Sequence, residues 1–426
     1  MAFDIRDTRT VPRSWGLSCG DASLKMGIAD GAQATWEGPT VGANTVVTTV
    51  NARTQSAGIR FDAYVNGQDY RLGPVLDWQS GNLGQGVRAW TGSIKVTLAG
   101  ITSPLRIISR RPAEAAYYAV LTLDSDGKFR VYDKNNTLLL TASTAIASGA
   151  HARFGLVLDT FTSQHGGNWL LWLVAEISGV LTEVGVASIA ADSWGSADGN
   201  WWWGEDLDGS TNRGAQFWMD DLVGHLCSVS HTDAPHLAQM PFAGVYAQEA
   251  DADGAAVQWT ATPSNPPNAH MKNWQTDDDA TGYNETLTAN LKERVAGEDI
   301  SLGGTTIIHC PQLRIKHRDG GGGKTVWNPA VHYLLGASES YQTTAQPTTS
   351  WAINGGHNPI TRPGGGSWTG NDVAAWEYGC RTLDNHNADW EVTAVVALWA
   401  KQEALVPLLS VPPIGAADRR KLAQVT

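Results

Sequence analysis

Leu121-Thr122-Leu123-Asp124-Ser125-Asp126-Gly127-Lys128-Phe129-Arg130-Val131-Tyr132-Asp133 is the stretch that decides the fold class. Leu121, Leu123, Phe129 and Val131 alternate with other residues on either side of Asp124-Ser125-Asp126-Gly127. That period of two belongs to a pair of strands with one buried face. Asp-Gly supplies the turn, because tight hairpins need positive φ and glycine adopts it at no steric cost. Lys134-Asn135-Asn136 closes the next hairpin in the same way.

Outward from this hairpin, similar runs fall at 45–50, 58–65, 93–98, 117–123, 138–142, 153–158 and 169–177. Short strands in succession with turns between them predict an antiparallel sandwich over 15–226. Residues 1–14 read as an N-terminal arm. Residues 227–256 contain Pro235, Pro241 and an Asp251-Ala252-Asp253-Gly254 turn, and read as a linker with one short strand at 244–247. A second sandwich is expected over 257–402. The tail, 403–426, carries Pro407, Pro412 and Pro413 and is expected to be extended. The best helix candidate is 369–376, with Thr369, Asn371 or Asp372 as its cap and Val373 and Trp376 on one face. The expected fold is all-β: two antiparallel, jelly-roll-like β-sandwich domains in series with extended terminal arms.

Composition agrees with this. The chain has 426 residues, including 46 glycines and 19 tryptophans, and 17% are charged. That length supports two cores. Tryptophan suits both sandwich cores and large interfaces, since it buries much area with few rotatable bonds. The net charge of −12 speaks against a nucleic-acid partner, which needs a basic face to release phosphate counterions. No apolar run approaches the roughly 20 residues of a membrane span, and the first residues are polar, unlike a signal peptide. No membrane partner is expected, and synthesis and assembly in the cytoplasm are. In that compartment Cys19, Cys227, Cys310 and Cys380, far apart in sequence, are expected to be free thiols.

Few groupings carry chemistry. Asp206-Leu207-Asp208-Gly209 shares a D-x-D-G core with 124–127 and 251–254, and Asp206 and Asp208 are the candidates for a calcium ion. No other cofactor is expected. None of the three turns has the distal bidentate Glu of a calcium loop, and an Asp-Gly turn is the plainer reading. A sandwich-fold glycosidase would need carboxylates at alternate positions of one strand. Glu205-Asp206-Leu207-Asp208 lies in a Gly-flanked stretch and does not fit. Trp201, Trp202 and Trp203 are the candidates for stacking on sugar rings, against the alternative that they fill the core or an interface. His309, His317, His332, His357 and His386 form no metal-ligand spacing, and neither a nucleophile elbow nor a phosphate-binding loop is present. No catalytic residue is assigned, and no enzymatic activity is expected.

Two segments resemble known families. The hairpin 121–133 and the run Phe217-Trp218-Met219-Asp220-Asp221-Leu222-Val223 are similar to the paired strands and the closing strand of concanavalin A-like, laminin-G-like jelly rolls. Ala252-Asp253-Gly254-Ala255-Ala256-Val257-Gln258-Trp259-Thr260 resembles a recurring opening in virion proteins of tailed bacteriophages. Gly366-Ser367-Trp368-Thr369-Gly370-Asn371-Asp372-Val373-Ala374-Ala375-Trp376-Glu377-Tyr378-Gly379 resembles a turn of the same proteins, and Val392-Thr393-Ala394-Val395-Val396-Ala397-Leu398-Trp399 their last strand. The resemblance implies a structural component of a tailed-phage virion (minor tail, neck, fibre or capsid decoration). Such a protein acts by assembly with other virion proteins and with copies of itself, and is located in the virion after assembly in host cytoplasm. Leu405, Val406, Leu408, Leu409, Val411 and Ile414 would be its assembly contacts, extended apolar residues able to add to a neighbour's sheet edge or groove. A carbohydrate-binding adhesin using the first domain, with a host surface glycan as partner, is the alternative. A glycosidase is a weaker one.

Overall fold

The alternating patterns become strands because each places one row of side chains in a shared interior. In the computed structural model these strands form four antiparallel sheets, in two pairs. The structure describes residues 12–18, 40–41, 45–53, 57–63, 70–78, 87–112, 118–191, 199–205, 212–227, 243–264, 267–276, 282–300, 302–304, 306–320, 329–344, 346–355, 360–384 and 389–402.

In the first pair, one sheet runs from edge to edge β13 (Val180–Ile189), β12 (Trp169–Ile177), β11 (His151–Asp159), β6 (Val87–Val96), β15 (Gln216–Cys227), β4 (Gly58–Asp62) and β3 (Thr45–Thr48). β1 (Pro12–Ser18) also pairs with β15. The other sheet runs β10 (Leu138–Thr141), β9 (Phe129–Tyr132), β8 (Tyr118–Leu123), β7 (Leu105–Pro112), β14 (Gly199–Glu205), β5 (Tyr70–Trp78) and β2 (Thr40–Val41). Strands distant in sequence lie side by side, as jelly-roll connections require. Between these sheets Trp90 stacks on Trp201 with ring centroids 4.5 Å apart, and Phe154 meets Trp203 edge-on at 6.0 Å.

In the second pair, one sheet runs β18 (Thr260–Thr262), β19 (Tyr283–Thr286), β27 (Trp390–Gln402), β21 (Ile307–Asp319) and β24 (Ala352–Gly355). β16 (Ala243–Gln248) pairs with β27, and β25 (Trp368–Thr369) with β21. The other sheet runs β17 (Ala250–Val257), β20 (Lys292–Gly297), β26 (Glu377–Thr382), β22 (Pro329–Leu335) and β23 (Ser338–Thr343). Their core holds Trp259, Trp274, Trp368, Trp376, Trp390 and Trp399. A buried indole contributes about 5 kcal/mol as an upper figure from area, provided its N–H finds an acceptor. Four do so: Trp274 donates to Val392 C=O, Trp368 to Ile360 C=O, Trp376 to Gln248 Oε1 and Trp390 to His317 Nδ1.

Local expectations meet the structure in specific ways. The turn at 124–127 forms, but only Gly127 has positive φ (75°). Gly127 N–H donates to Asp124 C=O, and Asp124 N–H to Lys128 C=O. It is therefore a type I turn followed by a left-handed glycine, not a two-residue turn. Thr369 caps α2 (Gly370–Ala375), with a reciprocal bond from its own N–H to Asp372 Oδ2. Val373 and Trp376 are buried.

The stretch read as a linker carries two strands of the second pair, β16 and β17, and Asp251-Ala252-Asp253-Gly254 lies within β17. An edge strand tolerates such residues because its outer side meets solvent. Asp253 also has a structural task. Its Oδ1 accepts the N–H of Met271 in the first turn of α1 (Ala269–Thr276) at 2.7 Å. That helix has no local start signal, and the sequence reading misses it.

Candidate functional site

The sequence-based candidates come first. Trp201 and Trp203 point inward from β14 and are fully buried; Trp202 points to the opposite side and is 5% exposed. None offers a ring face to a sugar, because a strand in mid-sheet has both faces covered here. Glu205 ends β14 rather than lying in a loop. Its carboxylate receives hydrogen bonds from Tyr70 Oη at 2.7 Å and Arg213 Nη2 at 2.6 Å, with Arg106 Nη1 at 2.8 Å. A carboxylate so saturated braces the sandwich and has no lone pair left for acid–base work. Burial, and Glu205 next, push the Tyr70 phenol well up.

Asp206 and Asp208 lie outside the described residues, as do Leu405, Val406, Leu408, Leu409, Val411 and Ile414. Among the described residues no group of three Asp, Glu, His or Cys is arranged to hold a metal. Cys380 is a free, buried thiol; the side chains of Cys19, Cys227 and Cys310 lie outside the described set.

A different constellation stands at one end of the second sandwich. Strand pairing sets Glu285 of β19 beside Glu391 of β27, and Glu391 beside Arg318 of β21. These three share the outward face, because Trp390 and Val392 on the alternate positions enter the core. Pairing of His317 with Ala352 brings Trp351, just before β24, next to Arg318. The Arg318 guanidinium lies 4.5 Å from the Trp351 ring centre and 5.9 Å from that of Tyr283, and the two rings are 6.3 Å apart.

Arg318 Nε donates to Glu391 Oε2 at 2.6 Å. Glu391 needs Gly320 beside it, since a Cβ there would stand 1.9 Å from Glu391 Oε1. Gly320 N–H in turn donates to Asp389 C=O at 2.9 Å. Burial pushes the Glu285 carboxyl up, and repulsion from Asp389 and Glu391 adds to it. Burial likewise raises the Tyr283 phenol, with Glu285 and Glu391 next in effect. Underneath, His317 accepts from the Trp390 indole, and burial holds its imidazole down to about 3.

The result is one guanidinium beside two aromatic rings and against three carboxylates. Rings of this kind stack on sugar faces, and carboxylates accept hydrogen bonds from hydroxyl groups. Sequence reasoning names none of these residues as a site. Tyr283, Arg318, Trp351 and Glu391 are far apart in the chain and meet only through strand pairing.

No known protein family matches the sequence, and no curated protein matches it. Among solved structures, the binding domain of Paraclostridial Mosquitocidal Protein 1 matches over 89% of this chain and 91% of its own, at 9% identity and a TM-score of 0.33. Arcelin-5, a lectin-like defence protein from Phaseolus vulgaris, matches over 44% and 93%, at 5% identity and a TM-score of 0.30. Lectin II from Ulex europaeus matches over 44% and 93%, at 9% identity and a TM-score of 0.29. These three neighbours are a binding domain, a lectin-like protein and a lectin.

Proposed function

We propose that the chain is a saccharide-recognition protein that binds at the rim of its second sandwich. The observation that supports this reading is the Tyr283–Arg318–Trp351 group beside Glu285, Asp389 and Glu391. Two rings and several fixed hydrogen-bonding groups converge on one end of a rigid sandwich, which suits a small polar ligand. Three carboxylates against one guanidinium repel acidic sugars, so the expected ligands are neutral or amine-bearing saccharides. The role is recognition rather than hydrolysis, since Glu391 is committed to Arg318. A panel of immobilised glycans should retain the full chain, and Trp351→Ala should weaken retention about tenfold, the scale of a lost stacking contact of 1–1.5 kcal/mol. Retention unchanged in both Trp351→Ala and Arg318→Gln would remove the site.

A second reading, a structural component of a tailed-phage virion, rests on the resemblance of the segments 252–260, 366–379 and 392–399. It is compatible with glycan recognition at a particle surface. Labelled antibody against this chain, imaged by electron microscopy on intact particles, tests it; particles that carry no label would refute the virion setting while leaving the rim site untouched.

A further inference from the structure

The outward face of the sheet opposite the rim carries a second polar cluster of contrary charge. Strand pairing aligns Arg294, Gly379, His332 and Tyr341 across β20, β26, β22 and β23. Lys292 and Arg381 pair in the flanking row on one side, and Glu377 and Glu339 lie in the row on the other. Three cations therefore face two carboxylates. Arg294 bonds Glu377 at 3.0 Å and Glu339 at 3.0 Å, and Lys292 reaches Glu339 at 2.5 Å.

The remaining groups are less well served. His332 has no exposed surface, and among the described residues neither ring nitrogen has a hydrogen-bond partner. Glu339 Oε2 is 3.6 Å from the His332 Nε2, beyond hydrogen-bonding reach. Arg381 Nε is likewise buried and without a partner among the described residues, while Nη2 of the same guanidinium donates to Asn290 Oδ1 at 3.3 Å. The Arg381 guanidinium rests 5.3 Å from the Tyr341 ring centre, and Tyr341 is 50% exposed. Gly379 adds no side chain beside His332 and can add none, since a Cβ would lie 2.0 Å from Glu293 O. Buried polar groups are nearly always hydrogen-bonded, and a buried imidazole with no partner beside a guanidinium Nε with none marks a place where an acceptor belongs.

We propose that this face binds the carboxylate of a uronic-acid saccharide, which displaces Glu339 and accepts hydrogen bonds from Arg381 and His332, with the sugar ring against Tyr341. The excess of positive charge selects an anion, and the half-exposed ring selects a ligand with a flat apolar face over a flexible acidic peptide. Glu339 is the built-in competitor, a carboxylate already held by the cations the ligand would share. The site is independent of the rim.

Titration calorimetry of the full chain with galacturonate trimer tests the assignment, with the neutral galactose trimer and poly-glutamate as controls. The acidic trimer should bind and the neutral one should bind at least tenfold more weakly. Arg381→Gln and Tyr341→Ala should each weaken the acidic trimer about tenfold, Glu339→Gln should strengthen it several-fold, and Trp351→Ala should leave it unchanged. In the unmodified chain the His332 imidazole, held down to about 4 by burial and then by Arg294, should titrate at higher pH once the trimer is bound. An undisplaced His332 resonance at saturating trimer, poly-glutamate binding as tight as the trimer, or an unchanged affinity in Arg381→Gln would each overturn the proposal.

Discussion

Asp221 Oδ1 accepts the backbone N–H of Val245 at 2.8 Å, which ties β15 of the first sandwich to β16 of the second. Asp221 sits where the pairing of β15 with β6 shifts register, at a φ of 55°. Its other oxygen meets Arg53 Nη1 at 2.5 Å. The adjoining Asp220 Oδ2 accepts the Arg53 N–H at 3.0 Å. Removing one partner of a buried charged pair leaves the other uncompensated. Asp221→Ala is expected to cost about 3 kcal/mol, the low end of that range because Arg53 is partly exposed. Calorimetry should then show the two sandwiches unfolding in separate transitions, whereas a single unshifted transition would deny Asp221 this coupling role.

Trp202 provides the test of the buried tryptophan run. If it packs as the structure has it, Trp202→Ala lowers stability by about 3–5 kcal/mol through lost contact and an unfilled cavity. Urea unfolding reads this directly. A variant as stable as the parent would mean that the ring was at the surface.

Two histidines, His317 buried and His270 half-buried, should respond to pH with opposite signs. Burial lowers His317, so the folded chain binds fewer protons there than the unfolded one. Its stability contribution is present above the unfolded value of about 6.5 and is lost as pH falls from there toward about 3. His317→Gln keeps an acceptor for Trp390 and does not titrate, so the acid limb of the melting-temperature profile should become shallower in that window.

His270 lies 2.5 Å from the buried Glu293 carboxylate, and that contact raises its imidazole. A raised histidine stabilises fully below its unfolded value, and the benefit disappears as pH rises through the folded one. Burial raises Glu293 as well, so its ionisation also weakens the fold as pH rises. His270→Gln should therefore flatten the loss of stability above pH 6.5 and leave the acid limb set by His317 in place. A stability difference between the parent chain and His270→Gln that does not shrink as pH rises from 6 to 8 would contradict this pairing.

Thr369 and Asp372 cap α2, and Arg362 bonds both Asp372 oxygens at 3.0 Å. Burial alone would raise Asp372, but the bonds from Arg362 and Thr369 outweigh it and the carboxyl is lowered. A lowered carboxyl stabilises above its unfolded value, and that benefit is lost as pH falls through the folded one. Thr369→Ala should cost about 1 kcal/mol near neutrality and less in acid. An equal cost at pH 7 and pH 2 would show that the reciprocal cap is not formed.

The sequence by itself determined the fold class, the hairpins around 124–127 and 133–137, and a helix start among Thr369, Asn371 and Asp372, because each depends on residues within a few positions of one another; the structure chose Thr369 as the cap. Alternation selects one face of a strand, glycine selects positive φ, and threonine three residues before aspartate selects a helix start. What depends on pairing across the chain was decided only by the tertiary structure. It turned 251–254 from a turn into an edge strand, buried Trp201, Trp202 and Trp203, and gave Asp253 a helix to cap. It also assembled Tyr283, Arg318, Trp351 and Glu391 at the rim. Strand register has no local sequence signature: a side chain's outward neighbours are set by which strand lies beside it and at what offset, and those are fixed by how the whole apolar face is buried.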